Sequence, residues 1–275
     1  MSIDIVIPVY NSEKSLYPLI DKISNILGKR PYKIILVNDN SNDSSLSILI
    51  EIANKNGNVK VIDLAKNFGQ DSAIMAGLNF VDSELVVIMD DDLQHDPQYI
   101  TNLENFMIKN NYDICYAFFD KKKQSIIKNF GSWLNDRLAN IVLNKPKKIY
   151  LSPFKILRRS LVDKIKTYNG PYPYIDGLIF RYTSKINQIP VKHNSRKYGK
   201  GNYNLKKSIS LWLRVLTSFS IFPLRFSTII GLFSSFIGFL LGIYFIVIHF
   251  IGVDTPEGWP SIIVSVLFIG GIQLM

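Results

Sequence analysis

Three consecutive carboxylates, Asp90, Asp91 and Asp92, follow the apolar run Val86-Val87-Ile88-Met89 and precede Leu93-Gln94-His95. An apolar run of that length, bounded by polar residues, reads as a buried strand that ends in a loop. Like charges crowded at a strand end are costly unless a cation neutralises them. A hard divalent ion such as Mg²⁺ takes one or two carboxylates and fills its shell with water and substrate phosphate oxygens. Asp90 and Asp92 have one residue between them, so both can turn toward one site where strand becomes loop. They are the candidate metal ligands. An acidic solvated loop, or one Asp capping a helix after Pro97, would show the same three residues, so their companions must decide.

Three further segments have the same character. Ile5-Val6-Ile7-Pro8-Val9-Tyr10-Asn11 and Val37-Asn38-Asp39-Asn40-Ser41 are apolar runs that break into polar loops. Lys66-Asn67-Phe68-Gly69-Gln70 precedes a helical stretch containing Ala73, Ala76 and Gly77. In open α/β sheets, ligands gather beyond the carboxyl ends of the strands, which selects Pro8–Asn11, Asn38–Asn42, Lys66–Asp71 and Asp90–His95.

In this order and spacing the set resembles glycosyltransferase family 2 with the GT-A fold. Within it, the chain is similar to the branch of dolichyl-phosphate mannosyltransferases and bactoprenol-phosphate glucosyltransferases. The likeness extends to Asn202-Tyr203-Asn204-Leu205 and Thr217-Ser218-Phe219-Ser220 near the C-terminal apolar region. It implies a nucleotide pocket lined by Pro8, Tyr10 and Glu13. Asp39 would hold the base, and Lys66, Gly69 and Gln70 would sit near base and ribose. Asp90 and Asp92 would bind metal and diphosphate, with Asp91 at the ribose or sugar and Gln94 facing the sugar. The implied reaction is inverting transfer from a nucleotide-sugar, a UDP-sugar first in line, to a polyprenyl phosphate, with Mg²⁺ or Mn²⁺. Association into a homo-oligomer is a further implication of the likeness.

A phosphate monoester acceptor, with a second pKa of about 6, is largely a dianion at neutral pH and needs no strong base. It needs cations to place it and to offset repulsion from the donor phosphates. Lys155, Arg137, Arg196 and Lys200 are the candidates, in a second half that is dense in Lys and Arg. The sequence departs from the family here. Many relatives carry Gly-Asp-Phe-Arg-Leu, whereas this chain has Ser152-Pro153-Phe154-Lys155-Ile156, with Pro153 at the Asp position. Either no base is required, or Ser152 and a water substitute, or the acceptor site differs; we favour the first. A saccharide-accepting membrane transferase and an inert nucleotide-binding subunit are the competing readings.

These residues must be positioned by alternating elements. Ile3–Val9, Lys33–Val37, Val59–Leu64 and Leu85–Met89 are strand-like, Ile114–Phe119 is a fifth apolar run, and Glu13–Leu27, Ser44–Asn54 and Asp71–Phe80 have helical spacing. Strands alternating with helices predict an α/β, Rossmann-like, mostly parallel sheet. Ile126–Leu143 reads as a helix, and Leu205–Phe219 as an amphipathic helix with Leu205, Ile209, Trp212, Leu213 and Leu216 on one side.

The expected organisation is a catalytic domain over residues 1–203, a juxtamembrane helix over 204–225, and spans at 226–251 and 259–275. Phe226–Ile251 contains no Lys, Arg, Asp or Glu, and about 20 apolar residues cross a bilayer core. The second run is short for a span. No signal-peptide pattern occupies the first residues, and Lys206, Lys207, Arg214 and Arg225 precede the first span while its connector carries only Asp254 and Glu257. The positive-inside rule then places the catalytic domain in the cytoplasm, on a bacterial inner membrane or its equivalent. The net charge of +10 suits anionic lipid and phosphorylated substrates. The basic stretches flank the span and match no nucleic-acid-binding motif. The single cysteine, Cys115, excludes an intrachain disulfide.

Overall fold

The structure, a computed structural model, describes residues 1–119, 149–192, 222–252 and 258–274. It comprises two units, Met1–Ser208 and Ile209–Met275. The expected helices at Ile126–Leu143 and Leu205–Phe219, the 203/204 boundary and the family-like segments at 202–205 and 217–220 lie outside the described residues.

The first unit is built on a seven-stranded sheet in the order β3-β2-β1-β4-β6-β5-β7. The strands are β1 (Ile3–Val9), β2 (Tyr32–Asn38), β3 (Val59–Asp63), β4 (Leu85–Ile88), β5 (Ile114–Phe119), β6 (Lys155–Arg158) and β7 (Ile186–Val191). β1 pairs in parallel with β2 and β4, β2 with β3, and β5 with β7; β6 alone runs against its neighbours. Every residue of β1 and β4 is buried, which explains apolar runs without alternation: both faces are covered. β6 and β7 were not visible as strands. β6 is only four residues long, and β7 carries Pro190, a residue tolerated on a sheet edge.

Helices α1 (Leu16–Leu27), α2 (Ser45–Lys55), α3 (Gln70–Leu78), α4 (Tyr99–Lys109), α5 (Arg159–Ile165) and α6 (Ile175–Tyr182) connect these strands. α1 buries Leu16, Leu19, Ile20, Ile23 and Leu27, one stripe at helical spacing. It starts later than Glu13, because Ser12–Ser15 form a turn in which both the Ser15 N–H and its hydroxyl donate to the Ser12 carbonyl. α3 lies unusually close to the sheet. A Cβ at Gly77 would stand 2.5 Å from Val6 Cγ1 and 3.1 Å from Val37 Cγ2, so the small residues of this helix are a packing requirement.

The second unit is a pair of apolar helices, α7 (Phe222–Ile251) and α8 (Trp259–Leu274). Leu224–Ile251 is long and apolar enough to cross a membrane by length and composition, whereas α8 is shorter. The two meet through small residues: a Cβ at Gly231 would lie 2.5 Å from the Gly271 carbonyl. The Ser227 and Ser234 hydroxyls donate to the Leu274 and Leu267 carbonyls across the pair. Close backbone approach and hydroxyl bonds of this kind hold helices together where apolar burial supplies no drive.

Gly77→Ala is expected to destabilise the first unit by about 1–3 kcal/mol through overpacking, lowering its unfolding midpoint by several degrees. Gly57→Ala, where a Cβ meets open space, should leave it within a degree or two. A thiol-reactive dye reads this directly, because the single cysteine, Cys115, is buried in β5 with its thiol pushed up to about 12 by that burial.

Candidate active site

β2 and β3 extend the sheet to one side of β1, and β4 begins the other side. The chain therefore reverses its direction of sheet growth between β1 and β4, the place where open α/β sheets form a crevice. The carboxylate triplet follows β4 there. Its first two members are tied to the neighbouring loops. Gln70 Nε2 donates to Asp90 Oδ1 at 2.7 Å, and the Tyr10 N–H points at Asp91 Oδ2 at 3.4 Å. Asp92 accepts the Gln94 N–H at 3.0 Å, and Leu93 between them has φ 62. A positive φ at Leu is rare and costs about 1–3 kcal/mol, so it persists only where its surroundings hold it.

Asp91 is pushed up to about 6, chiefly by burial and further by Asp92, while the Ser12 hydroxyl and the Tyr10 N–H pull it back. Burial and the neighbouring Asp92 charge thus act together on Asp91, and carboxylates gathered at a strand end suit a divalent cation. Among the described residues no three His, Cys, Asp or Glu side chains converge on one point, so protein ligands alone would not cage an ion. Asp90 and Asp92 with diphosphate oxygens would be the donor set, as suits Mg²⁺ or Mn²⁺.

The loops after β1 and β2 interlock. Asn11 donates its N–H to Ser41 and accepts from the Asn42 N–H; Ser12 N–H donates to Ser45 Oγ; the Ser44 N–H donates to Glu13. Asn11 and Asn40 take φ 53 and 55, which Asn tolerates better than most residues. Asp39, 3% exposed, receives the Phe68 N–H on one oxygen and the Gly69 N–H on the other, at 2.7 and 2.9 Å. It therefore fixes the Lys66–Gln70 turn, with lone pairs left over for a ligand. Gly69 has φ 92 at the start of α3, where glycine relieves strain. Lys66 is exposed, its Nζ 4.8 Å from the Phe68 ring centre. Pro8 is buried within β1, in register with Val37. The structure thus brings Tyr10, Asp39, Gly69, Gln70 and Asp90–Gln94 to one edge of the sheet, while Glu13 is engaged in joining the loops.

Of the four cations expected at an acceptor phosphate, Arg137, Arg196 and Lys200 lie outside the described residues. Lys155 is 3% exposed and ion-paired with Asp176, whose Oδ1 also accepts the Tyr116 hydroxyl at 2.8 Å. Lys155 stands opposite Ile88 in the β4–β6 register, two residues before Asp90. Burial and the Asp176 charge push the Tyr116 hydroxyl well above its usual value. Asp71, next to Gln70, accepts the Ile175 N–H at 3.1 Å and so joins the starts of α3 and α6. Asp176 and Tyr116 escaped sequence reasoning, and Asp71, at the end of the selected Lys66–Asp71 segment, was given no role of its own. The only signal was an Asp in the first turn of each short helix, and nothing in the sequence pairs Asp176 with Lys155.

A Rossmann-like sheet with a carboxylate triplet after its fourth strand is the GT-A class of glycosyltransferase. The chain belongs to glycosyl transferase family 2, whose model matches residues 4–166. It is 30% identical over 274 residues to an uncharacterized glycosyltransferase, YkcC, of Bacillus subtilis, covering 98% of this chain and 84% of that one. It is 30% identical over 270 residues to the undecaprenyl-phosphate 4-deoxy-4-formamido-L-arabinose transferase of Yersinia enterocolitica, covering 97% and 82%. Glucosyl-3-phosphoglycerate synthase of Mycobacterium tuberculosis shares the fold at TM-score 0.59 and 18% identity, over 78% of each chain. TarS of S. aureus, solved with UDP-GlcNAc, shares it at 0.54 and 18%, over 78% of this chain and 65% of that one.

Asp71 is pushed up to about 6, first by burial and then by Asp176. A carboxyl held above its unfolded value stabilises the fold while protonated, and that stability is lost as pH rises through about 6. Asn at this position keeps an oxygen for the Ile175 N–H and cannot ionise. In EDTA, Asp71→Asn is expected to unfold several degrees above wild type at pH 8, and the gap should close toward pH 5. A gap independent of pH would show that Asp71 ionisation carries no such cost.

Proposed function

We propose that this glycosyltransferase moves a sugar, with inversion, from a nucleotide-sugar to a polyprenyl phosphate at the cytoplasmic face of a membrane. UDP-sugars are the first donors to test. The observation that carries the reading is the meeting of Asp90 and Asp91 with Gln70 and the β1 loop at the sheet's switch point, in a chain that also holds a helix long enough to cross a bilayer. The likeness to an undecaprenyl-phosphate transferase over 97% of the chain supports a lipid phosphate as acceptor. Mycobacterial glucosyl-3-phosphoglycerate synthase, a neighbour in fold, was solved with Mn²⁺ and UDP-Glc.

In this reading Asp39 and the turn it fixes hold the nucleoside, with Tyr10 and Lys66 at the pocket wall. Asp90 and Asp92 would hold Mg²⁺ or Mn²⁺, and such a cation would supply charge neutralisation for the diphosphate leaving group. Asp91 and Gln94 face ribose and sugar. The dianionic acceptor is placed by Arg137, Arg196 and Lys200. Lys155, buried and paired with Asp176, is not assigned to the acceptor in this reading. A second reading is a saccharide acceptor: a hydroxyl nucleophile needs a base, and Asp176, ion-paired with Lys155, is a carboxylate that would be tried for that role.

The test uses the full chain in detergent with Mg²⁺, short-chain polyprenyl phosphate and a panel of UDP-, dTDP- and GDP-sugars, with mass spectrometry as readout. An EDTA-sensitive lipid-linked sugar is the expected product, and Asp92→Ala should reduce it by more than about 100-fold while membrane insertion is retained. Transfer to free saccharides but not to lipid would establish the second reading. Undiminished turnover in Asp92→Ala would end the metal assignment.

A further inference from the structure

The metal-bearing loop leaves β4 at Ile88 and regains regular structure only at Tyr99. Its bend is Leu93, held at φ 62 between Asp92 and Gln94. A residue that resists this conformation keeps it only when the chain is fixed on both sides. Upstream, the Met89 N–H donates to the Val6 carbonyl at 3.3 Å, and Gln70 holds Asp90. Downstream, His95 is 3% exposed, with its ring centre 5.4 Å from that of fully buried Phe154. Phe154 is itself fixed, its N–H donating to Ser152 Oγ at 3.2 Å and its carbonyl accepting the Ala117 N–H at 2.9 Å. One residue beyond His95, Asp96 pairs with Lys22 of α1 at 2.8 Å.

We propose that His95 is a positioning residue for the cation site. Seated on Phe154, it is the downstream anchor that keeps Leu93 left-handed, and so keeps Asp92 and Gln94 turned toward the cleft. This rests on the reading that Asp92 holds the cation. Without the seat, Leu93 relaxes to negative φ and carries Asp92 away, whereas Asp90, close behind β4, stays in place. The effect travels through the backbone at residue 93. Glycine there adopts a positive φ freely, so it removes the drive to relax.

The experiment measures Mn²⁺ binding by electron paramagnetic resonance on the full chain in detergent with saturating UDP, and metal-free UDP binding by calorimetry. His95→Ala should weaken Mn²⁺ binding about 10-fold or more, the usual effect of losing a residue that orients a metal ligand, with metal-free UDP binding unchanged. His95→Phe keeps a ring on Phe154 and should restore Mn²⁺ affinity. Leu93→Gly added to His95→Ala should recover much of that affinity while the thiol-dye unfolding midpoint stays low, a separation that general loosening would not produce. Should His95→Ala fail to fold, Phe154→Leu tests the same seat and should weaken Mn²⁺ in the same way. Unaltered Mn²⁺ binding in a folded seat variant, or no recovery with Leu93→Gly, overturns the proposal. Asp92→Ala separates the two levels: if it binds Mn²⁺ like wild type, the cation assignment itself has failed.

Discussion

Three carboxylates at the end of a buried strand are the constraint around which this fold is arranged. Each would be content in water. Here they stand at the edge of a sheet whose central strands are buried on both faces, where burial first and the Asp92 charge after it push Asp91 up to about 6. The surroundings answer with donors: the Gln70 amide at Asp90, the Tyr10 N–H and Ser12 hydroxyl at Asp91, the Gln94 N–H at Asp92. These bonds fix where each carboxylate stands at the end of β4, and carboxylates gathered at a strand end are donors of the kind a hard divalent cation takes.

The same economy appears in Asp39 and Asp4. Asp39 spends both oxygens on consecutive backbone N–H groups of the Phe68–Gly69 turn. Asp4, 1% exposed, does likewise for the N–H groups of Asp82 and Ser83 and for the Ser83 hydroxyl. Such bonds pin a loop through both oxygens of one carboxylate. One lies at the carboxyl edge of the sheet and shapes the cleft. The other sets the entry to β4, and with it the height at which the triplet emerges. A glycine at 77 lets α3 lie against Val6 and Val37, and Gln70 at the start of the same helix donates to Asp90.

Sequence periodicity revealed the first half of the sheet because its strands are apolar throughout and its helices have one buried stripe. The second half obeys a different rule. β6 reads as a basic tetrad, Lys155–Arg158, and it is a strand because β4 and β5 clamp it from both sides. Tertiary pairing, not local preference, decides such a segment. For the same reason Lys155 looked like a surface cation awaiting phosphate. Its partner Asp176 is distant in sequence and sits on a helix of eight residues, so no spacing rule could link them. Asp39 was legible as a site residue, but its two-handed grip on the turn was not, since backbone partners leave no mark on side-chain identity.

Pro153 leads the chain into β6. A proline at that point cannot donate a backbone bond and holds its own φ, and the chain passes directly into Phe154 and Lys155, both buried and engaged. Phe154 packs against His95 in the loop that follows Asp90–Asp92, and Lys155 pairs with Asp176 at the start of α6. One residue acts by packing and the next by charge. A lone Lys155 buried this deeply would be expensive, and so would Asp176 without its cation. The pair joins β6 to the start of α6, so Lys155 is not a mobile surface charge.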